Sequence, residues 1–165
     1  MKKLILITFL FANAAFGQSV IKSGTVYKKH PDIEVVKKLA TLYEKGDADG
    51  MTTYYDAAVS FHGMGRYNPD AKSQNKSLAE AKAGWAEIIK GWENIKMEPT
   101  MPPVALQYTG SAITVQSWWK LTLTNKTTKK TAEVEMVLFD TFNKDGKIAS
   151  QLQYYDPTPL LAAMK

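Results

Sequence analysis

The chain has no cysteine among its 165 residues. That excludes disulfides, a lipoprotein anchor and thiolate metal or redox chemistry. It also lacks a long apolar run. The longest, Leu4–Ala12, covers nine residues and is far too short to span a bilayer. Charge of one sign is scarce as well: the formal balance is +5, of which Lys2 and Lys3 supply two, so the rest carries 5 − 2 = +3. A nucleic-acid surface needs more positive charge gathered on one face with aromatics between, so no nucleic-acid partner is expected. No glycine-rich loop has phosphate-binding spacing, no nucleophile elbow occurs, and no His/Cys/carboxylate set has zinc spacing. Neither a metal nor a cofactor is expected.

What is present begins with MKKLILITFLFANAAFGQ. Two lysines, an apolar stretch and small residues at Ala15 and Gly17 read as a secretory signal peptide over residues 1–17, cut after Gly17. Export to a bacterial periplasm or the medium follows, with no membrane contact after processing. Residues 18–30 show no period and read as a flexible arm, and residues 31–165 as one domain.

Within that domain Pro31 opens a helix whose apolar face is Ile33, Val36, Leu39, Ala40 and Tyr43, ended by Gly46. Asp47 caps a shorter second helix, and Ala57–Gly63 reads as a short strand. Met64–Lys76 is a loop with a turn at Asn68-Pro69-Asp70. Ser77 and Glu80 form a capping box for a third helix with Leu78, Ala81, Trp85, Ile89, Trp92 and Ile95 on its buried side. Three prolines confine 97–103 to an edge strand or an irregular crossing. Ser111–Asn125 alternates with Val115, Ser117, Trp119 and Leu121 inward. Trp118 stands on the otherwise polar opposite face, an expected place for a dimer contact. Thr131–Phe142 and a returning strand carrying Ile148, Leu152 and Tyr154 on one face are joined at Asn143–Gly146, where glycine tolerates positive φ. Helices first and a meander of strands afterwards mean α+β, with the sheet curling around the helices.

Asp140 breaks the pattern. It falls on the apolar face of its strand with Val134, Met136, Leu138 and Phe142, where a carboxylate needs a partner or a purpose.

Three motifs carry a resemblance: the first helix through Gly46-Asp47 to Tyr54–His62, the strand-turn-strand Phe142–Ile148, and the closing Gln153-Tyr154-Tyr155-Asp156-Pro157. In order and spacing they resemble the NTF2-like superfamily, in its SnoaL-like and ketosteroid-isomerase-like branches, over about Asp32 to Met164. The resemblance implies a cone, a strongly curved mixed or antiparallel sheet wrapped around three helices of the N-terminal half, with a pocket in its mouth. It also implies pairing of two copies through their sheets, hence a homodimer. Ketosteroid-isomerase activity does not carry over: the base position holds His62, the protonated-acid position Leu138, and the oxyanion tyrosine falls on Leu39.

Two candidate site residues remain. His62 stands at the superfamily's usual base position, and an imidazole is the commonest general acid–base group. Asp140 is positioned to pair with it and raise its basicity. Tyr54, Trp85, Ile89, Leu138 and Tyr154 are expected to line the pocket. The resulting expectation is an exported, non-catalytic domain that binds a small, largely apolar molecule. The alternative is a cofactor-independent isomerase, cyclase or hydrolase using His62 and Asp140 as an acid–base pair.

Overall fold

A computed structural model describes residues 23–65 and 76–165. The expected signal peptide and the Asn68-Pro69-Asp70 turn lie outside those residues. Among the described residues no helix is long and apolar enough to cross a membrane.

The order is β1 (Gly24–Tyr27), α1 (Pro31–Glu44), α2 (Ala48–Thr52), β2 (Tyr55–Gly65), α3 (Leu78–Gly91), β3 (Trp92–Tyr108), β4 (Thr114–Asn125), β5 (Thr131–Phe142), β6 (Ile148–Tyr155) and α4 (Thr158–Ala163). The strands form one six-stranded sheet in the order β1-β3-β4-β5-β6-β2. Only β2 and β6 pair in parallel, so the curved sheet is mixed and open, as the α+β expectation required. One face packs on α1, α2 and α3. A second apolar cluster of Trp92, Leu121, Leu123 and Val134 is closed by Ala163 and Leu160 of α4.

Local chemistry sets the helix ends. Pro31 occupies the first turn of α1, and Nδ1 of His30 accepts from the Asp32 amide at 3.2 Å. Asp47 Oδ1 accepts from Gly50 N at 2.7 Å to start α2. Ser77 and Glu80 make the reciprocal capping box that starts α3. Asp156 Oδ1 takes the Thr158 amide at 2.9 Å at the head of α4. Lys126, the first of three lysines in the β4–β5 turn, donates its Nζ to the carbonyls of Ile89 and Lys90 and so satisfies the end of α3.

Several expectations need correction. The arm at 18–30 is not wholly loose, because Gly24–Tyr27 forms β1 against Ala105–Tyr108 of β3. The approach is close enough that a Cβ on Gly24 would lie 2.6 Å from the Gln107 carbonyl oxygen, and the Tyr27 hydroxyl donates to Gln107 Oε1 at 3.0 Å. Helix α3 ends at Gly91, so Trp92 and Ile95 belong to β3, where Asn94 (φ 54°) sits in a register shift between Glu93 and Lys96. The 99–103 segment does continue as strand, with two further register shifts absorbing Pro99, Pro102 and Pro103.

Two more shifts matter for the site. Along β2 and β6, Tyr55 pairs with Ile148 but Ser60 with Ser150, so five steps oppose two. Asp56 holds this bulge by accepting from Ala58 N and from Asn143 Nδ2, both at 2.8 Å. Between β5 and β6, Phe142 pairs with Ile148 and Thr141 with Ser150, leaving Ala149 extra. Past that bulge the inward face of β6 changes phase. Gln151, Gln153 and Tyr155 face the helices, and Leu152 and Tyr154 face out, the reverse of the sequence expectation.

Candidate ligand cavity

Between the concave sheet face and α1–α3 lies a cavity of about 330 Å³. Helix α1 contributes Val36, Leu39, Ala40 and Tyr43 because their three- and four-residue spacing puts them on one side of the helix. The strands contribute alternate residues: Trp119, Leu121 and Leu123 from β4, then Met136, Leu138 and Asp140 from β5. Tyr55, Phe61 and Trp85 form a ring cluster at one end, with centroids 5.1 to 5.8 Å apart. Exposed Lys76, Glu80 and Gly84 mark the side open to solvent.

The polar chemistry is concentrated beside those rings. Asp140 pairs with Gln151 across β5 and β6, and Gln151 with Phe61 across β6 and β2, so the three share one row on the concave face. The Gln151 amide donates to Asp140 Oδ1 at 2.6 Å and to the Tyr55 hydroxyl oxygen at 3.1 Å. Asp140 is 1 % exposed, and its Oδ2 has no hydrogen-bond partner among the described residues. Burial pushes its carboxyl up to about 7, against a smaller downward pull from the Gln151 bond. The Tyr55 phenol is pushed well above its ordinary range by burial and by the neighbouring Asp140. Burial does the same to Tyr43, with Tyr155 beside it. At neutral pH the Tyr55 and Tyr43 phenols stay protonated and Asp140 is poised between acid and carboxylate. One free carboxyl oxygen therefore borders a largely apolar hollow whose wall also carries Gln151, Gln153 and the Tyr43, Tyr55 and Tyr155 side chains, able to donate when protonated and to accept when ionised.

No family model matches the sequence, and no curated protein matches it. Solved structures do match its fold. A suggested isomerase from Bacillus subtilis superposes with a TM-score of 0.62 at 17% identity, covering 79% of this chain and 90% of the other. PrhC from Penicillium brasilianum gives 0.65 at 10% identity over 84% and 88% of the two chains. An NTF2-like protein from Burkholderia thailandensis gives 0.61 at 17% identity over 83% and 99%. The fold is NTF2-like. AclR of Streptomyces galilaeus, for which a hydroxylase role has been suggested, shares this fold at a TM-score of 0.64 and 13% identity over 79% and 82% of the two chains.

The NTF2-like cone brings together only part of the expected site. Asp140, Trp85 and Leu138 line the cavity. His62 does not. It follows inward-facing Phe61 on β2, so it falls on the outer face, where Nε2 lies 3.2 Å from Ser60 Oγ. Its cross-strand neighbours are Leu152 and, one strand further, Phe139, and the expected His62–Asp140 pair is not formed because the sheet stands between them. Tyr154 is also outside, 36% exposed and edge-on to Phe139 at 6.2 Å. Tyr54 gives way to Tyr55, whose neighbour it is at the start of β2. Ile89 gives way to Ile88, because Ile89 packs instead on the turn at Gly46. Trp118 lies on the outer face opposite Val137 and Met101. The residues missed were Tyr55, Phe61, Gln151 and Tyr155. The run Gln151-Leu152-Gln153-Tyr154 reads as polar-out and apolar-in, and only the bulge at Ala149 reverses it.

Proposed function

We propose that this NTF2-like domain binds a small, uncharged and largely apolar molecule carrying one hydrogen-bonding oxygen, which rests against Asp140. One observation carries the reading: a fully buried carboxyl with one oxygen unpartnered among the described residues, on the wall of a largely apolar cavity. A buried polar group left unpaired costs stability, so its retention is best explained by a partner that arrives with the ligand. Pockets of this size and composition are where small molecules are taken up, with a few polar groups fixing orientation. The same carboxyl supports a second reading, proton transfer to or from a bound carbonyl compound, because a group titrating near 7 both takes and gives protons at neutral pH.

Trp85 and Trp119 border the cavity, so intrinsic fluorescence reports its filling. A panel of neutral ketones of about ten carbons, open-chain and cyclic, is the probe. A ketone oxygen only accepts, so binding is expected below pH 7 and is expected to weaken above it as Asp140 ionises. Asp140→Leu should lower affinity at pH 5.5 by roughly tenfold or more, since the buried ketone oxygen loses its donor. Asp140→Asn keeps a donor and should bind independently of pH. His62→Ala, on the other side of the sheet, should bind as the native protein does. A panel that leaves the fluorescence unchanged, or Asp140→Leu binding as tightly as the native chain, overturns the proposal. Hydrogen–deuterium exchange next to the carbonyl of a bound ketone separates the two readings. Exchange that Asp140→Asn abolishes while binding persists marks catalysis, and equal exchange in both proteins marks a binding module.

A further inference from the structure

We infer that the ligand carries a second neutral oxygen, a hydroxyl or a carbonyl, on the edge that faces strand β6, where Gln153, Tyr155 and Tyr43 receive it. The inference rests on the binding role proposed above and adds the pattern of polar groups that the molecule bears.

The polar wall of the cavity follows one strand. Past the bulge at Ala149 the inward residues of β6 are Gln151, Gln153 and Tyr155, and all three border the cavity. The neighbouring strands are apolar at the same level. Gln153 pairs with Leu138 and Tyr155 with Met136, and Met136 in turn with Trp119. Of the three rows that cross from β6 to β5, only the first is polar on both strands, where Gln151 meets Asp140. A ligand lying on this sheet meets hydrogen-bonding groups along its β6 edge and hydrocarbon along the other.

The groups further along β6 are also uncommitted. Gln151 is held by Asp140 and Tyr55. By contrast, neither the Gln153 amide nor the Tyr155 or Tyr43 hydroxyl has a hydrogen-bond partner among the described residues. Gln153 and Tyr155 are half-buried. Tyr43 of α1 stands beside Tyr155, and burial pushes its phenol well above the ordinary range, which marks an oxygen withdrawn from bulk water. Such groups gain a partner when a ligand oxygen reaches them and stay unpaired against a purely hydrocarbon ligand. Amide and phenol both donate and accept, and neither brings a charge, so they suit a hydroxyl and a carbonyl alike. Alternate residues of a strand are about 7 Å apart, which places Gln153 and Tyr155 roughly 7 and 14 Å of strand from the row that holds the first oxygen. The second oxygen is expected at that remove, on the order of five to ten carbons along the skeleton.

The test is a fluorescence titration of the full domain at pH 5.5 with a straight-chain methyl ketone and a bicyclic ketone, each of about ten carbons. Each is compared with analogues that bear one added hydroxyl at successive positions. The quantity read is the ratio of the two affinities, hydroxyketone over parent, which a partial loss of folded protein leaves unchanged. The best-placed hydroxyl should tighten binding about fivefold. Tyr43→Phe combined with Tyr155→Phe keeps both rings, and Gln153→Leu keeps most of the bulk. At least one of these two variants should lower the ratio threefold or more. A wall that offers the added oxygen nothing leaves it unpaired and weakens every hydroxyketone. A ratio at or below one at every position, or a ratio that neither variant lowers, overturns the second oxygen while leaving a binding role intact. If neither the ketones nor their analogues bind, the binding role fails together with it.

Discussion

Asp140→Asn is expected to stabilise the fold at pH 8 by about 2–4 kcal/mol and to flatten the pH dependence of stability between pH 4 and pH 8. The sign follows from where the proton sits. The folded-state carboxyl titrates near 7, above its ordinary 3.8, so between those values the folded chain holds a proton that the unfolded chain has released. Stability therefore falls as pH rises from about 4, and the full penalty is present above about 7. A difference of about 3 pKa units corresponds to roughly 4 kcal/mol at ~1.36 kcal/mol per unit. Asparagine is neutral throughout, and its Oδ1 still accepts from Gln151. At pH 4, where the native carboxyl is protonated, the two proteins should differ little. Urea unfolding at pH 4, 6 and 8 checks this. A native chain that becomes more stable over that range through Asp140, or an asparagine variant weaker at pH 8, contradicts it. Stability alone would favour the amide, so the carboxyl's presence fits a site where function is kept at a cost.

Trp119→Ala should destabilise the domain by about 3–5 kcal/mol, at the upper end for a core truncation. The indole is 3% exposed, faces Met136 across β4 and β5, and donates from Nε1 to Ser117 Oγ at 2.9 Å. Ser117 is itself fully buried, so the variant leaves its hydroxyl without that donor. Because Trp119 already borders the cavity, the deleted volume joins an existing void instead of being closed by its neighbours. Trp85, half-buried at the mouth, should cost less when truncated to alanine. Denaturation of the two variants side by side checks the order, and equal losses would mean that the indole of Trp119 is not part of the closed core.

The fold was largely legible because its signals are local. The capping box at Ser77 and Glu80, the cap at Asp47, the positive φ of Gly146 and the strict alternation of β4 each follow from residues within a few positions. Asp140 was legible as a violation of that alternation. Strand β1 was not, because its four residues acquire meaning only from a partner about eighty positions away. The site was half legible, and its errors share one cause. Tyr54 for Tyr55, His62 for Phe61, Ile89 for Ile88 and Tyr154 for Tyr155 are each one residue out. In a strand one residue is a change of face, and the bulges at Asp56–Val59 and Ala149 that fix the phase have no sequence signature. In α3 the exchange is smaller, about a third of a turn, and follows from Ile89 seating on Gly46.

The central claim is that Asp140 borders a largely apolar cavity with one carboxyl oxygen held for a ligand. An NMR titration of its side-chain carbon, in the free domain and with a saturating neutral ketone of about ten carbons, tests that claim most directly. The predicted midpoint in the free protein is about 7, displaced upward when the ketone, which accepts only from the protonated carboxyl, fills the cavity. A midpoint in the ordinary carboxylate range near 4, indifferent to the ketone, would contradict it.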